Sequence, residues 1–118
     1  MLTGQYRSAD AFAEGDIRRT IPRFNAENMP ANLAIVDKFQ ALADKKGCTP
    51  AQLAIAWVMA QGAIPIPGTR VSERLEENFG ARDVDLTEAE LKDLRQLIDK
   101  ASPSGDRYAP IHMAMCGK

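Results

Sequence analysis

Apolar positions recur with helical period in two stretches of this chain, and between them lie a segment apolar almost throughout and a short run in which isoleucine and proline alternate. From about Glu27 to Lys46, Leu33, Val36, Phe39 with Gln40, and Leu42 with Ala43 trace one face of a helix. Pro30 suits its first turn, and Gly47 closes it after Lys45 and Lys46, whose charge favours the negative end of the helix dipole. Thr49-Pro50-Ala51-Gln52 has the form of a capping box, with the threonine at the cap and glutamine three residues later. The helix it opens, Ala51 to about Gln61, contains Leu53, Ala54, Ile55, Ala56, Trp57, Val58, Met59 and Ala60. So little polar surface predicts cover on more than one side, which the rest of the chain does not obviously supply. A second capping box, Thr87-Glu88-Ala89-Glu90, starts a helix whose stripe is Leu91, Leu94, Leu97 and Ile98 and which ends before Ser102-Pro103.

Gly62 stops the apolar helix, and Ala63-Ile64-Pro65-Ile66-Pro67 reads as a single strand. Proline has no N–H for a ladder, so two prolines argue against an ordinary two-sided position in a sheet. Ser72 is the expected cap of a short helix ending near Phe79-Gly80. One strand among helices cannot form a sheet, and unpaired backbone is costly when buried, so neighbouring strands from elsewhere are implied. Helix, loop, strand, loop, helix is the order expected of the last units of a parallel α/β barrel.

Residues 1–25 read as an irregular segment broken by Gly4, Gly15 and Pro22, and such a length without regular structure suits a functional loop. Residues 102–118 read as a loop-like tail. A chain of 118 residues with 45% apolar and 26% charged residues is one small globular domain or part of a larger one. Its formal net charge of −1 gives no field to draw it onto nucleic acid or an anionic membrane. The helix after Thr49 lacks the basic residues of a DNA-reading helix. No apolar stretch approaches a membrane span, and the first residues hold no signal-peptide core, so a soluble cytoplasmic protein is expected. Cys48 and Cys116 match no metal or redox spacing and read as reduced thiols, and the single histidine, His112, has no partner for a metal site.

The segment that carries chemistry runs from Ile64 to Asn78. A strand ending in Pro67-Gly68, followed within a few residues by a helix start rich in polar groups, is an arrangement that holds anions such as phosphate. The same residues also suit a plain helix start, with Ser72, Glu73, Glu76 and Glu77 favouring its positive end and Arg74 solvated.

Met1-Leu2-Thr3-Gly4, Glu14-Gly15-Asp16, Arg18-Arg19, Pro22-Arg23-Phe24, Gly47 through Val58, Ile64 through Thr69 and Leu75 through Asn78 together resemble the C-terminal third of the aldo-keto reductases. The likeness is strongest to the NADP-dependent branch related to pyridoxal reductase and the YakC-type proteins. It implies that residues 63–67 are a strand of an eight-stranded (β/α)8 barrel, and that residues 1–118 are a partial aldo-keto reductase domain without its N-terminal two-thirds. In the wider family a Lys-Ser pair follows this strand, with an Arg six residues after the Lys and Glu-Asn nine and ten residues after it. Those positions fall here on Gly68, Thr69, Arg74, Glu77 and Asn78.

The resemblance implies that Thr69 and nearby backbone N–H groups face the 2′-phosphate of NADP, that Arg74 is its cationic partner, and that Glu77 and Asn78 hold the adenine side. Gly68 stands where the wider family has lysine, and Arg70 is a candidate for the missing charge. Full-length relatives are expected to reduce aldehydes or ketones by hydride transfer, with a Tyr proton donor tuned by Lys and Asp and a His that orients the carbonyl. Tyr6, Tyr108 and His112 do not match those positions, so no catalytic residue is assigned and the chain alone is expected to be inactive. An alternative reading is a non-catalytic helical module that assembles with itself or with a complementary fragment through apolar surface around Leu53 and Trp57.

Overall fold

The computed structural model describes residues 1–116, and these fold mainly into helices. In chain order they are α1 (Met29–Lys46), α2 (Pro50–Ala60), α3 (Ser72–Gly80), α4 (Glu88–Lys100) and the short α5 (Pro110–Met113), with turns of 3-10 helix at Ala9–Ala11, Ile17–Thr20, Pro22–Phe24 and Ala81–Asp83. The chain divides into two compact units. One comprises Met1, Thr3–Asp37 and the chain from Ala101 onward; the other comprises Leu2 and Lys38–Lys100.

In the first unit the segment expected to be irregular is ordered by side chains rather than by a ladder. Tyr6 and Phe12 stack with ring centroids 4.7 Å apart, and Phe12 meets Phe24 edge-on at 5.3 Å. The Arg18 guanidinium lies over both rings, 4.3 Å from the centroid of Tyr6 and 4.8 Å from that of Phe12. Asp16 accepts the Arg18 backbone N–H at 2.9 Å and pairs with its guanidinium at 2.5 Å. Those hydrogen bonds to Arg18 hold the Asp16 carboxyl at about 2.

The same unit is fastened by a buried asparagine. Asn32 is fully buried on the α1 face that also buries Met29 and Val36. Its amide N–H groups donate to Arg23 O and Ser104 O, both at 2.9 Å, while its Oδ1 accepts the Ser104 N–H at 2.8 Å. Asn28 repeats the pattern, donating to Pro22 O at 2.9 Å and accepting the Ser104 hydroxyl at 2.6 Å. Gly105 completes this clasp with φ of +82°, and a Cβ there would lie 2.6 Å from Asn28 Nδ2 and 2.9 Å from the carbonyl carbon of Pro22. The tail is therefore tied down where it leaves α4, and it turns into α5 rather than remaining a loop. Its last two residues, 117–118, lie outside the described residues.

The second unit buries Phe39, Ala43, Leu53 and Leu94 at its centre, with Leu42, Cys48, Ala54, Trp57, Leu86 and Leu97 packed around them. Phe39, Leu42 and Ala43 of the α1 stripe and Leu94 and Leu97 of the α4 stripe meet Leu53 and Trp57 of α2 there. Both expected capping boxes form: Gln52 N–H donates to Thr49 Oγ1 at 3.2 Å and Thr49 N–H to Gln52 Oε1 at 3.0 Å, while Thr87 N–H donates to Glu90 Oε2 at 2.8 Å and Glu90 N–H to Thr87 Oγ1 at 3.3 Å. Lys46 Nζ reaches the same Glu90 oxygen at 2.9 Å. Past the end of α1, Gly47 N–H returns to Asp44 O and Cys48 N–H to Ala43 O, each at 3.1 Å, satisfying two otherwise orphaned carbonyls.

Four further expectations are corrected. The long helix begins at Met29 rather than Glu27, because Asn25 Oδ1 accepts the Asn28 N–H at 2.8 Å and holds the preceding residues in a turn. Ser72 is the first residue of α3 and not its cap; Val71 occupies the cap, and the Ser72 hydroxyl donates to Glu73 Oε2 at 3.3 Å. Leu53 is 1% exposed and Trp57 is half-buried, so the apolar surface of α2 is largely covered within the chain. Finally, no strand forms among the described residues: 63–67 has no regular structure, and Ile64 and Ile66 are 89% and 93% exposed. A strand needs a neighbour to accept and donate its ladder bonds, and this chain folds without supplying one.

Replacing Asn32 by alanine leaves the Arg23 and Ser104 groups unsatisfied and is expected to cost about 2–3 kcal/mol, read from urea unfolding followed by circular dichroism. The Glu90 carboxyl is held at about 2, against an ordinary 4.5, first by the Thr87 backbone N–H and then by Lys46. Because the folded value is the lower one, its stabilisation is complete above about pH 4.5 and is lost as pH falls towards 2. Melting temperature measured across that window should fall less steeply for Glu90→Gln than for the parent chain.

Candidate functional site

Thr69 shapes the approach to α3. Its Oγ1 accepts the Val71 N–H at 3.1 Å and its hydroxyl lies 3.2 Å from Val71 O, a local turn of the kind threonine makes in loops. Gly68 is exposed, and a Cβ built there meets nothing within 4 Å. A long side chain therefore has room at the position where the wider family carries lysine.

Arg70 and Arg74 are both exposed. Arg74 and Asn78 stand four residues apart on α3 and share one of its faces, with Glu77 beside them one residue earlier. Glu77 and Asn78 are half-buried. Val71 brings no side-chain cap to α3, whereas α2 is capped by the Thr49 hydroxyl. An anion placed before α3 would meet backbone N–H groups as well as guanidinium groups. Glu73, Glu76 and Glu77 on the same helix oppose it, so the local field is mixed and the cationic side chains must act at short range. Arg70, Arg74 and the N–H groups at the start of α3 are hydrogen-bond donors, and Glu77 and Asn78 add a carboxylate acceptor and an amide.

Two residues that position this segment were not legible as such in the sequence. Gln52 closes the α2 capping box with its oxygen and at the same time donates its Nε2 to Glu77 O at 3.1 Å. Gly80 makes room for that amide, since a Cβ there would lie 2.7 Å from Gln52 Nε2. The signal for Gln52 was its place in the capping box, but the box accounts for only half of its amide. Arg82 stacks on the exposed Phe79 ring with its guanidinium carbon 4.1 Å from the centroid, just beyond the expected site.

Other reactive groups do not converge on this segment. Both cysteines are free thiols, and burial pushes the Cys48 thiol up, away from the thiolate form that nucleophilic chemistry uses. No helix among the described residues is long and apolar enough to cross a membrane.

Residues 1–99 match the model of the aldo/keto reductase family, and the chain belongs to that family. A TIM barrel is the architecture that membership implies. The chain is 51% identical over 113 residues to an aldo-keto reductase of Gibberella moniliformis, 48% over 111 to the aldo-keto reductase yakc [NADP(+)] of Schizosaccharomyces pombe, and 45% over 111 to the aldo-keto reductase str7 of Strobilurus tenacellus. These alignments cover 92–96% of this chain but 33–35% of the relatives, so the chain spans about a third of the length of the curated relatives it matches.

Gly80→Ala should displace the Gln52 amide and release Glu77 O, lowering stability by about 1–2 kcal/mol in chemical denaturation. In the Gln52→Ala background the same change should be close to neutral or slightly favourable, as alanine is the better helix former.

Proposed function

We propose that this chain is the cofactor-gripping C-terminal part of an NADP-dependent aldo-keto reductase whose whole reduces an aldehyde or ketone to an alcohol. The observation that carries the reading is the grouping before and along α3, where the Thr69 turn, two exposed guanidinium groups and a helix N-terminus without a side-chain cap follow one another. The family match and the NADP(+) in the name of the Schizosaccharomyces pombe relative support it. In this reading residues 1–118 form a partial domain, and residues 63–67 become a barrel strand once neighbouring strands are present.

Within the complete enzyme Arg74 binds the 2′-phosphate through the planar fork that lysine lacks, and Arg70 adds a second positive charge across the loop. Thr69 offers its hydroxyl, and Glu77 and Asn78 orient the adenine by hydrogen bonds from the side of α3. Gln52 keeps Glu77 in place through its backbone. NADPH, when bound, supplies the hydride. Proton donation to the substrate oxygen falls to residues outside this chain, because general acid catalysis needs a donor within hydrogen-bond reach of the carbonyl. Tyr6, Tyr108 and His112 do not stand at the family's positions for that role.

The test is a fluorescence titration with NADPH and NADH, on this chain alone and on a chimera joining it to the N-terminal two-thirds of the Gibberella moniliformis relative. Arg74→Ala should weaken NADPH binding by about tenfold and NADH binding much less. Gly68→Lys should strengthen NADPH binding severalfold. Equal affinity for the two cofactors in the chimera, unmoved by either change, would sink the assignment.

A further inference from the structure

Between Thr69 and Asn78 the chain carries two arginines and three glutamates, so the segment that offers donors to an anion is itself formally negative. The three acids do not stand alike. Glu77 is half-buried, and its backbone carbonyl is held by Gln52. Glu76 lies two residues past Arg74, and at about 100° per residue that puts it on the opposite side of α3. Glu73 is the acidic residue of the first turn.

The first intrahelical bond of α3 runs from Leu75 N–H to Val71 O at 3.1 Å, while Val71 N–H turns back to Thr69 Oγ1, also at 3.1 Å. Val71 brings no side-chain cap, so the positive end of the helix acts on whatever negative group is nearest. That group is the exposed Glu73 carboxylate, whose Oε2 accepts the Ser72 hydroxyl at 3.3 Å.

We infer that Glu73 is a built-in anion at the start of α3 which lowers the preference of the site for a 2′-phosphate over a 2′-hydroxyl, and so tunes cofactor choice against Arg70 and Arg74. The inference rests on the NADP reading proposed for this segment. A phosphate monoester carries close to two negative charges at neutral pH, and it meets Glu73 as it approaches the two guanidinium groups and the helix start. NADH brings a neutral hydroxyl to the same place, so the repulsion falls on NADPH alone. Gly68 leaves no lysine at its position to outweigh it. In the absence of cofactor the same carboxylate favours the helix, because it faces the positive end of α3. One charge therefore stabilises the empty helix and opposes the phosphate. Since Glu73 is exposed, both effects are of short range and are screened by salt.

Fluorescence titrations with NADPH and NADH test this on the chain alone and on the chain completed by the N-terminal two-thirds of the Gibberella moniliformis relative. At about 20 mM salt, Glu73→Gln should tighten NADPH binding about two- to fivefold and change NADH binding less than about twofold. The gain should shrink at about 0.5 M salt. The melting temperature of the cofactor-free variant should move the other way, slightly downward, which separates the charge effect from a general improvement of the fold. Glu73→Asp keeps the charge and should bind as the parent does, while Glu76→Gln should give a clearly smaller gain. Unchanged or weaker NADPH binding in Glu73→Gln, with Arg74→Ala still selectively weakening NADPH, would overturn the role of Glu73 and leave the NADP assignment standing. An equal gain for both cofactors would overturn it as well, since the charge would then act on a part that they share. A parent that binds NADPH and NADH equally and is unmoved by Arg74→Ala would remove the NADP assignment and this inference together.

Discussion

Backbone hydrogen bonding governs how this chain folds. A helix closes its own N–H and C=O groups apart from the four at each end, so α1 to α4 can form without a partner strand. A parallel strand closes none of its own and depends on neighbours that lie far away in sequence. The chain is accordingly helical wherever it can satisfy itself, and bare at residues 63–67, where it cannot. Burial follows the same division: Leu53 and Leu94 disappear beneath α1, α2 and α4, while Ile64 and Ile66 stay in water.

The candidate site inherits its geometry from that arrangement. The region before α3 is shaped locally by Thr69, whereas α3 itself is held against α2 by Gln52, whose amide caps one helix and grips the backbone of the other. A single side chain thus couples the placement of Glu77 to the start of α2. The chain belongs to the aldo/keto reductase family and spans about a third of its relatives' length, and this link ties α3 to α2 within it.

Features made by near neighbours in sequence were legible before the fold was known. The Thr49 and Thr87 capping boxes, the stop at Gly47 and the stripes of α1 and α4 all depend on residues within a few positions of one another, and all appear. Ser72 failed as a cap because α3 takes it up as its first residue, leaving extended Val71 at the cap position and the Ser72 hydroxyl on Glu73. Asn32 gave no signal at all; a polar residue on a buried helical face is intelligible only once Arg23 and Ser104 are seen to close around it. Arg18 likewise stood in the sequence only among the residues shared with the family, and its place over the stacked rings of Tyr6 and Phe12 appears only in the fold. For the α3 segment, residue types and spacing pointed to an anion site and the family likeness to NADP, but neither indicated that Gln52 and Gly80 would position it.

By itself the sequence determined the identity and approximate limits of the main helices, the family, and the residues proposed to meet a phosphate, because these rest on local hydrogen bonding and on residue order. Only the tertiary structure decided which apolar residues stay exposed. From α2 alone, Leu53 and Trp57 looked bare, yet packing from α1 and α4 covers Leu53 fully and Trp57 in part, while Ile64 and Ile66, which read as a strand, remain open. Exposure depends on surfaces contributed by distant parts of the chain, and a strand exists only where another strand supplies the opposite half of its hydrogen bonds.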